Sequence, residues 1–522
     1  MISAGHRSGS TWAVPHGIEP LLQIGFVHAL IALIITGTRR YQSTFAGIVQ
    51  PCSVEGQMTM FNAVPPMNRR EFLRHSGRSA GTLALGAGVV LQGCDSHPTL
   101  PEPDARPSLR IPRTLDAGDA LLTAGAAELD LGSHASRGWG YNGTLPGPTL
   151  CVRVGARARI GVLNQLSEDT TVHWHGMVVP TPMDGHPTDA VPPGTGYSYE
   201  YPIVQRAAMN WYHPHPHGRT GRQVWRGLAG ALIVEDPVAE RGLPSGDREI
   251  PLLLRDGLLD GTGQLEYRRR DSGMVGDFPL VNGVPYPRVT LVPAIHRFRV
   301  LNAANARVFR LAMSNGSRFT LIGNDGGLLE QPLELDRIEL GPAERVDILL
   351  DLSDHPSGAE LSLRCNRAGW DLLEMHVAGE PDRETVIPSA FSPIPRLSVG
   401  AGTRRRAFRF EGHRRINGRE YRMDRIDFRV PLGETEIWEF ESAGGAPHPV
   451  HVHGAHFQVI SRSGGRGRVF PWEQGWKDTV LVEDRERVEI AIRFDSYTGV
   501  YLLHCHKLEH EDAGMMLNFE VT

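Results

Sequence analysis

Cysteine and aromatic side chains are both scarce in this chain. It has five cysteines among 522 residues, and only 7% of its residues are aromatic. So few cysteines exclude a dense disulfide framework. Cys151 and Cys365 form the one candidate disulfide pair, and their positions in different predicted domains argue against a bridge. The 59 glycines and 38 prolines instead favour a turn-rich β protein.

Long apolar runs and a strong excess of either charge are also missing. The apolar run Ile24–Ile35 is too short to span a bilayer comfortably. The formal net charge of −5 gives no reason to expect a nucleic-acid partner. The length is sufficient for three domains of ordinary size, each with a sizeable core.

The N-terminal region does not have the pattern of a folded domain. We expect residues 1–66 to be a non-native or disordered extension that comes from an over-extended reading frame. Residues 67–94 resemble a twin-arginine export signal, with Arg69 and Arg70 ahead of the apolar stretch Ser79–Gly93. This predicts a partner, the twin-arginine export machinery, and a periplasmic or cell-envelope location.

The apolar stretch ends in Leu91-Gln-Gly-Cys94, which resembles a lipoprotein cleavage box. Two interpretations stay open: acylation of Cys94, which would tether the protein to a membrane, and ordinary signal cleavage nearby. Residues 95–108 are rich in proline and are predicted to be an extended linker.

Three segments of short apolar runs, broken by glycine and proline, follow the linker. They are residues 109–240, 241–395 and 396–522, and each is predicted to be a β-sandwich or barrel. The runs that carry this prediction are Thr149–Val154, Ala158–Leu163, Leu228–Val234, Phe298–Leu301, Phe309–Met313 and Val346–Leu352.

The last two dozen residues concentrate side chains that bind metals. Because side chains alternate along a strand, Cys505 should point one way and His504 and His506 the other. His510 and Met515 follow at five and ten residues after the cysteine. Cysteine, histidine and methionine are three of the four groups of a blue-copper site, which also needs a second histidine.

Three other segments hold histidines in the spacing His-x-His, which in a strand places both rings on one face. The pairs are His173 with His175, His213 with His215, and His451 with His453. With His504 and His506 they supply eight imidazoles, and His448 is left as the second histidine of the blue site. The alternative is a His-rich C-terminus that packs or binds metal adventitiously.

These four motifs resemble, in order and spacing, the copper signatures of the multicopper oxidase superfamily of laccases, bilirubin oxidases and bacterial cuprous oxidases. The resemblance runs from about Leu109 to Thr522 and includes Leu145–Thr149, Gly341–Arg345 and Gly475–Thr479. It implies an all-β protein of three cupredoxin-like Greek-key β-sandwich domains. It also implies four copper ions, one of type 1, one of type 2 and two of type 3, with none in the second domain.

The resemblance further assigns a role to each ligand. The type 1 ligands are His448, Cys505 and His510, with Met515 axial, and the type 2 ligands are His173 and His451. The type 3 ligands are His175, His213, His215, His453, His504 and His506. His217 is expected to continue the same face of its strand, so spacing alone does not exclude it. His217 and His456 are nevertheless left as structural or supporting residues.

The implied reaction couples one-electron oxidation of phenols, aromatic amines or low-valent metal ions to the four-electron reduction of O₂ to water. His504 and His506, on either side of Cys505, would give a covalent route between the two centres. Asp184 and Glu511 match acidic positions that the family uses near its cluster, and we predict that they relay protons. The alternative for both is an ordinary loop carboxylate.

The identity of the electron donor stays open. A dedicated Cu(I) site is in doubt because the segment Ala401–Pro447 contains a single methionine, Met423. The alternatives are a cuprous oxidase for periplasmic copper tolerance, a non-catalytic copper-binding protein of the cell envelope, a copper-containing nitrite reductase, and a copper store or chaperone. The filled set of ligand positions favours the oxidase, which we expect to be a monomer.

Overall fold

The computed structural model describes residues 100–103, 105–132 and 134–522. Within these residues the chain forms 31 β-strands and two short α-helices, so the all-β prediction is confirmed. The predicted extension, export signal and Cys94 lie outside the described residues. No helix in the described part is long and apolar enough to cross a membrane.

The first sandwich spans residues 114–235 and contains the first two histidine motifs. Its strands are β1 (Thr114–Asp116), β2 (Ala120–Asp130), β3 (Ala135–Tyr141), β4 (Thr149–Arg153), β5 (Arg157–Asn164), β6 (His173–His175), β7 (Gly196–Pro202), β8 (Ala208–His213) and β9 (Gly230–Glu235). One sheet has the order β3-β2-β5-β7 and the other β1-β4-β9-β8-β6. Helix α1 (Thr220–Arg226) connects β8 to β9.

The second sandwich spans residues 249–377. Its strands are β10 (Glu249–Gly257), β11 (Phe278–Val281), β12 (Val284–Pro285), β13 (Arg288–Leu291), β14 (Ile295–Asn302), β15 (Phe309–Met313), β16 (Phe319–Asn324), β17 (Gly327–Leu335), β18 (Ile338–Leu340), β19 (Arg345–Asp351), β20 (Glu360–Cys365) and β21 (Trp370–Val377). They form a seven-stranded sheet, β12-β11-β10-β14-β19-β16-β17, and a five-stranded sheet, β13-β21-β20-β15-β18.

The third sandwich spans residues 404–521. Its strands are β22 (Arg404–Glu411), β23 (Arg415–Ile416), β24 (Phe428–Val430), β25 (Thr435–Ser442), β26 (His448–Val452), β27 (Phe457–Gly464), β28 (Thr479–Val482), β29 (Glu486–Arg493), β30 (Gly499–Cys505) and β31 (Met516–Val521). The sheets are β23-β22-β25-β29-β27 and β24-β31-β30-β26-β28. Helix α2 (Leu508–Asp512) lies between β30 and β31.

Apolar side chains that alternate along the strands form the core of the third sandwich. Trp438 and Phe440 of β25 and Val450 and Val452 of β26 face one another in one buried cluster. Cys505, at the end of β30, belongs to the same cluster. Burying such a side chain stabilises the fold by roughly 1.5–3 kcal/mol each, so Cys505 is held in a rigid core.

The first and third sandwiches are in direct contact. The carboxylate of Asp512 in α2 accepts hydrogen bonds from the first two amides of α1, Thr220 N and Gly221 N, both at 2.9 Å. The hydroxyl of Tyr501 in β30 donates to the carbonyl of Val179 at 2.8 Å. These contacts fix the edge of one sandwich against the other, where the histidine motifs lie.

Candidate metal centre

The eight histidines of the four pairs converge in one buried site between the first and third sandwiches. Each is no more than 1% exposed. Rings from the two sandwiches stack on each other: the centroids of His173 and His453 are 3.8 Å apart, and those of His175 and His451 are 3.7 Å apart. The structure therefore places together residues that are 280 positions apart in one pair and 276 in the other.

Strand pairing sets the register of these motifs. His173 in β6 lies opposite His213 in β8, and His451 in β26 lies opposite His504 in β30. The prediction that both histidines of a pair lie in one strand is confirmed only for His173 and His175. In each of the other three pairs the strand ends before the second histidine, at His213, Val452 and Cys505.

The expectation that His217 continues the face of a strand is wrong. Strand β8 stops at His213 because the next residue, Pro214, has no amide hydrogen for a ladder bond. His217 is exposed, and its ring lies 5.3 Å from that of Tyr421. It does not join the buried group.

The imidazole nitrogens form three subgroups. In one, Nε2 of His504 lies 3.3 Å from Nε2 of His215 and 3.0 Å from Nε2 of His453. In the next, Nε2 of His506 lies 3.4 Å from Nε2 of His213, and the His506 ring centroid is 4.9 Å from that of His175.

The last subgroup consists of His173 and His451, whose ring centroids are 5.6 Å apart. The Nε2 atoms of both rings are buried and lack a hydrogen-bond partner. A buried, unpaired polar atom costs about 1–3 kcal/mol. Nitrogens arranged in this way therefore fit a metal ion as their partner.

In three of the rings, a hydrogen bond to a main-chain carbonyl group determines which ring nitrogen is left to bind a metal. Nδ1 of His173 donates to the Asp184 carbonyl at 2.8 Å, and Nδ1 of His451 donates to the Asp478 carbonyl at 2.8 Å. A ring that donates from Nδ1 presents the lone pair of Nε2. His213 follows the same rule, since its Nδ1 donates to the Pro214 carbonyl at 2.9 Å.

His175 has the opposite orientation. Its Nε2 lies 2.9 Å from Oδ1 of Asp478, and its Nδ1 is the unpaired atom. Burial and neighbouring charges hold the pKa of His175 and of His213 well below the usual histidine range. Burial lowers the pKa of His215 to about 3 despite the nearby Glu511. These three rings are thus neutral imidazoles, the form that ligates copper.

The two predicted carboxylates both touch this site. Oδ2 of Asp184 accepts a hydrogen bond from Nδ1 of His453 at 2.7 Å. The Glu511 carboxylate lies between two rings, 3.4 Å from Nδ1 of His215 and 3.3 Å from Nδ1 of His504. Burial alone would raise the pKa of Glu511, but its interactions with His215 and His504 lower it to about 2. Asp184 therefore orients one imidazole through a hydrogen bond, and Glu511 lies within ion-pair distance of two more.

Sequence reasoning missed Asp478, which supports the site from its outer side. Its carboxylate contacts His175 and receives two bonds from the guanidinium of Arg345, at 2.7 and 2.5 Å. Arg345 begins β19 of the second sandwich. The pKa of Asp478 is lowered because the paired guanidinium outweighs its burial. The signal was present in Gly341–Arg345 and Gly475–Thr479, two segments with no ligand role that nevertheless match the family.

A separate buried triangle is formed by His448, Cys505 and His510. The sulfur lies 3.5 Å from Nδ1 of His448 and 3.6 Å from Nδ1 of His510, and the two nitrogens are 3.4 Å apart. All three residues are 0% exposed. Burial raises the pKa of the Cys505 thiol to about 12. Two imidazole nitrogens and one cysteine sulfur in this arrangement are typical of a blue-copper site.

The structure distinguishes the two neighbouring methionines. Met515 is fully buried in the same apolar cluster as Cys505, and its carbonyl accepts the Cys505 amide at 3.1 Å. Met516 begins β31 and packs with Tyr421 and Leu502 in a different cluster. Met515, unlike Met516, therefore lies in the cluster that contains Cys505.

Comparison with known proteins agrees with this chemistry. Three family models, each described as multicopper oxidase, match residues 124–239, 238–362 and 391–522. A multicopper oxidase of Staphylococcus epidermidis is 35% identical over 395 residues, which cover 73% of this chain and 83% of that protein. The cell division protein FtsP of Escherichia coli is 32% identical over 480 residues, covering 86% of this chain and 97% of the relative.

The fold is also similar to solved structures. A laccase from Pediococcus acidilactici superposes with a TM-score of 0.76 at 36% identity, covering 80% of this chain and 94% of that one. The cupredoxin-like fold expected from the sequence is therefore confirmed. Because these likenesses include both sandwiches that supply the buried histidines, the chain belongs to the multicopper oxidases, copper-containing oxidoreductases that use O₂ as electron acceptor.

Proposed function

We propose that the protein oxidises a small phenol, an aromatic amine or a low-valent metal ion one electron at a time and reduces O₂ to water. Three residues, His448, Cys505 and His510, would hold a type 1 copper, with Met515 axial. His173 and His451 would hold a type 2 copper. The two type 3 ions would be held by His175, His213, His215, His453, His504 and His506. When bound, these four ions supply the one-electron redox chemistry.

The position of Cys505 is the observation that carries this proposal. Its sulfur belongs to the His448–His510 triangle. Its two chain neighbours, His504 and His506, each enter a different subgroup of the eight-histidine site. Three consecutive residues thus join the two sites through covalent bonds, as electron transfer between an oxidation site and a reduction site requires.

The carboxylates supply the remaining functions of the site. Asp184 and Glu511 hold His453, His215 and His504 in place. We also propose that the same carboxylates deliver protons, because oxygen reduction consumes protons inside a site that bulk water does not line.

Replacement of Cys505 by serine tests the proposal. The copper-loaded wild type should contain four copper ions per chain, absorb intensely in the visible range and consume O₂ with a phenol. Cys505→Ser should lose the blue band and the oxidase activity but keep the EPR signal of type 2 copper. A blue Cys505→Ser protein would contradict the assignment, and so would a wild type with four copper ions and no O₂ uptake.

The similarity to FtsP favours a second candidate, a non-catalytic role in the cell envelope. The filled and buried ligand set supports the oxidase instead. Oxygen uptake by the copper-loaded protein separates the two functions. Oxidation of Cu(I) in the same assay tests the cuprous oxidase alternative.

We propose export to the periplasm or cell envelope, on the strength of Arg69 and Arg70 and the apolar stretch that follows. Replacing both arginines with lysine should leave the protein in the cytoplasmic fraction. Mass spectrometry of the exported chain would distinguish acylation of Cys94 from cleavage nearby, and light scattering would test the expected monomer.

A further inference from the structure

His413 lies outside all four histidine motifs and yet touches the triangle of His448, Cys505 and His510. Its Nδ1 is 3.1 Å from Nε2 of His510, and the ring centroids are 4.9 Å apart. His510 is completely buried, whereas His413 is half-buried. His413 is therefore placed between His510 and the solvent.

The geometry of His510 sets the direction of this hydrogen bond. Nδ1 of His510 faces the sulfur of Cys505 and Nδ1 of His448. A metal on Nδ1 leaves the ring proton on Nε2, which points at His413. Nε2 of His510 then donates and Nδ1 of His413 accepts, so His413 keeps its own proton on Nε2.

One hairpin contacts both histidines of the triangle. Strands β22 and β23 pair through Phe410 with Ile416 and Glu411 with Arg415, so His413 lies in the turn between them. Gly412, which precedes it, has a φ of +59°, a left-handed conformation that favours glycine. Phe410 in β22 stacks on the ring of His448, with centroids 5.6 Å apart. The β22–β23 hairpin thus contacts both rings.

We propose that His413 is a positioning residue of the type 1 centre. The inference rests on the proposed function. An acceptor on the outer nitrogen of a metal-bound histidine fixes the ring and makes it a stronger ligand. Stronger donation favours oxidised over reduced copper, so His413 lowers the reduction potential of this centre.

The test measures this potential and does not depend on turnover. The copper-loaded protein is titrated with redox mediators under argon, and the blue band reports the oxidised fraction. His413→Phe keeps a ring of similar size but removes the acceptor. At a given solution potential we expect its ratio of reduced to oxidised copper to rise about tenfold. This change equals a rise of about 59 mV in the reduction potential of a one-electron couple. His413→Gln restores a carbonyl acceptor and should remain close to the wild-type potential.

Two further variants complete the design. His355→Phe removes a half-buried histidine of the second sandwich, away from the triangle, and should not change the potential. His413→Ala also lacks the acceptor and should match His413→Phe, so the test stands even if the larger ring disturbs the turn.

The inference is overturned if the phenylalanine and alanine variants both titrate at the wild-type potential, or if the His355 variant shifts as far as they do. A wild type that binds copper without becoming blue would overturn the proposed function and this inference with it. A blue wild type with unshifted His413 variants would leave the proposed function intact.

Discussion

At the scale of single residues, the carboxylates beside the eight histidines have two proposed roles, orienting the rings and relaying protons. Amide substitutions can separate these two roles. Asp184 accepts a hydrogen bond from His453, and Glu511 contacts His215 and His504. Asparagine and glutamine keep an oxygen that accepts from a ring nitrogen, but they carry no proton to give. A variant of this kind preserves the orientation of the rings and removes only the proton relay.

We therefore predict that Asp184→Asn and Glu511→Gln keep the blue colour and the normal anaerobic reduction by a donor. Their turnover with O₂ should fall by about 10²-fold, the lower end of the contribution of general acid–base groups. Stopped-flow reoxidation of the fully reduced enzyme measures this step. Reoxidation of both variants at the wild-type rate would show that these carboxylates only orient the rings.

The two adjacent methionines give a matched pair for a second prediction. Met515 shares a cluster with Cys505, and Met516 packs elsewhere. Met515→Leu should raise the type 1 potential, because loss of a weak thioether ligand disfavours oxidised copper. Met516→Leu, a change of the same size in the next residue, should leave the potential unchanged. A shift in the second variant alone would reverse the assignment of the axial ligand.

Residue identity alone predicted which histidines and which cysteine lie together at the site but not its outer support. His173 and Cys505 stand in motifs whose spacing indicates metal binding, so the sequence is enough to single them out. Asp478 and Arg345 form an ion pair across 133 positions of the chain. Neither residue has a local pattern that reveals its partner, and only the packing of the second sandwich against the third brings them together.

At the scale of strands and helices, the apolar runs were sufficient to predict strands. All six predicted runs become strands, and Phe309–Met313 has the predicted limits. The alternation rule nevertheless failed for His215, His453 and His506, which lie beyond the ends of their strands. A period of two residues describes only a continuous strand, so it does not place a ring that follows the strand's end.

The start of β19 connects the second sandwich, which supplies none of the predicted ligands, to the site. Arg345 is 1% exposed and binds both oxygens of Asp478. Loss of one partner from a buried ion pair leaves an uncompensated charge and costs about 3–5 kcal/mol. Burial alone would raise the pKa of Asp478, so the guanidinium is what keeps this carboxylate charged beside His175.

We predict that Arg345→Met lowers the free energy of unfolding by about 3–5 kcal/mol. It should also reduce the copper content, because His175 loses its fixed hydrogen-bond partner. Arg310→Met is the control: its partner Glu339 lies 2.9 Å away, but Arg310 is 46% exposed. A surface ion pair contributes about 0–1 kcal/mol. Calorimetry of both variants measures the difference, and equal losses would contradict the structural role of Arg345.

At the scale of the whole molecule, the first and third sandwiches share one site. The first supplies His173, His175, His213 and His215, and the third supplies the other four rings. Metal bound at this interface links the two sandwiches only in the folded state. A ligand that binds the native state alone stabilises it by about 2.7 kcal/mol when its free concentration is a hundred times its dissociation constant.

We therefore predict that removal of copper by a chelator lowers the melting temperature of the wild type and exposes the boundary between the first and third sandwiches to protease. The unpaired Nε2 atoms of His173 and His451 add to this loss, since they have no protein partner in the folded chain. Cys505→Ser, which disrupts only the triangle within the third sandwich, is the matched comparison. Its melting temperature should fall less than that of the metal-free wild type, because the shared histidine site remains loaded. Differential scanning calorimetry of the three samples makes the comparison, and an equal fall in both would show that the shared site does not hold the sandwiches together.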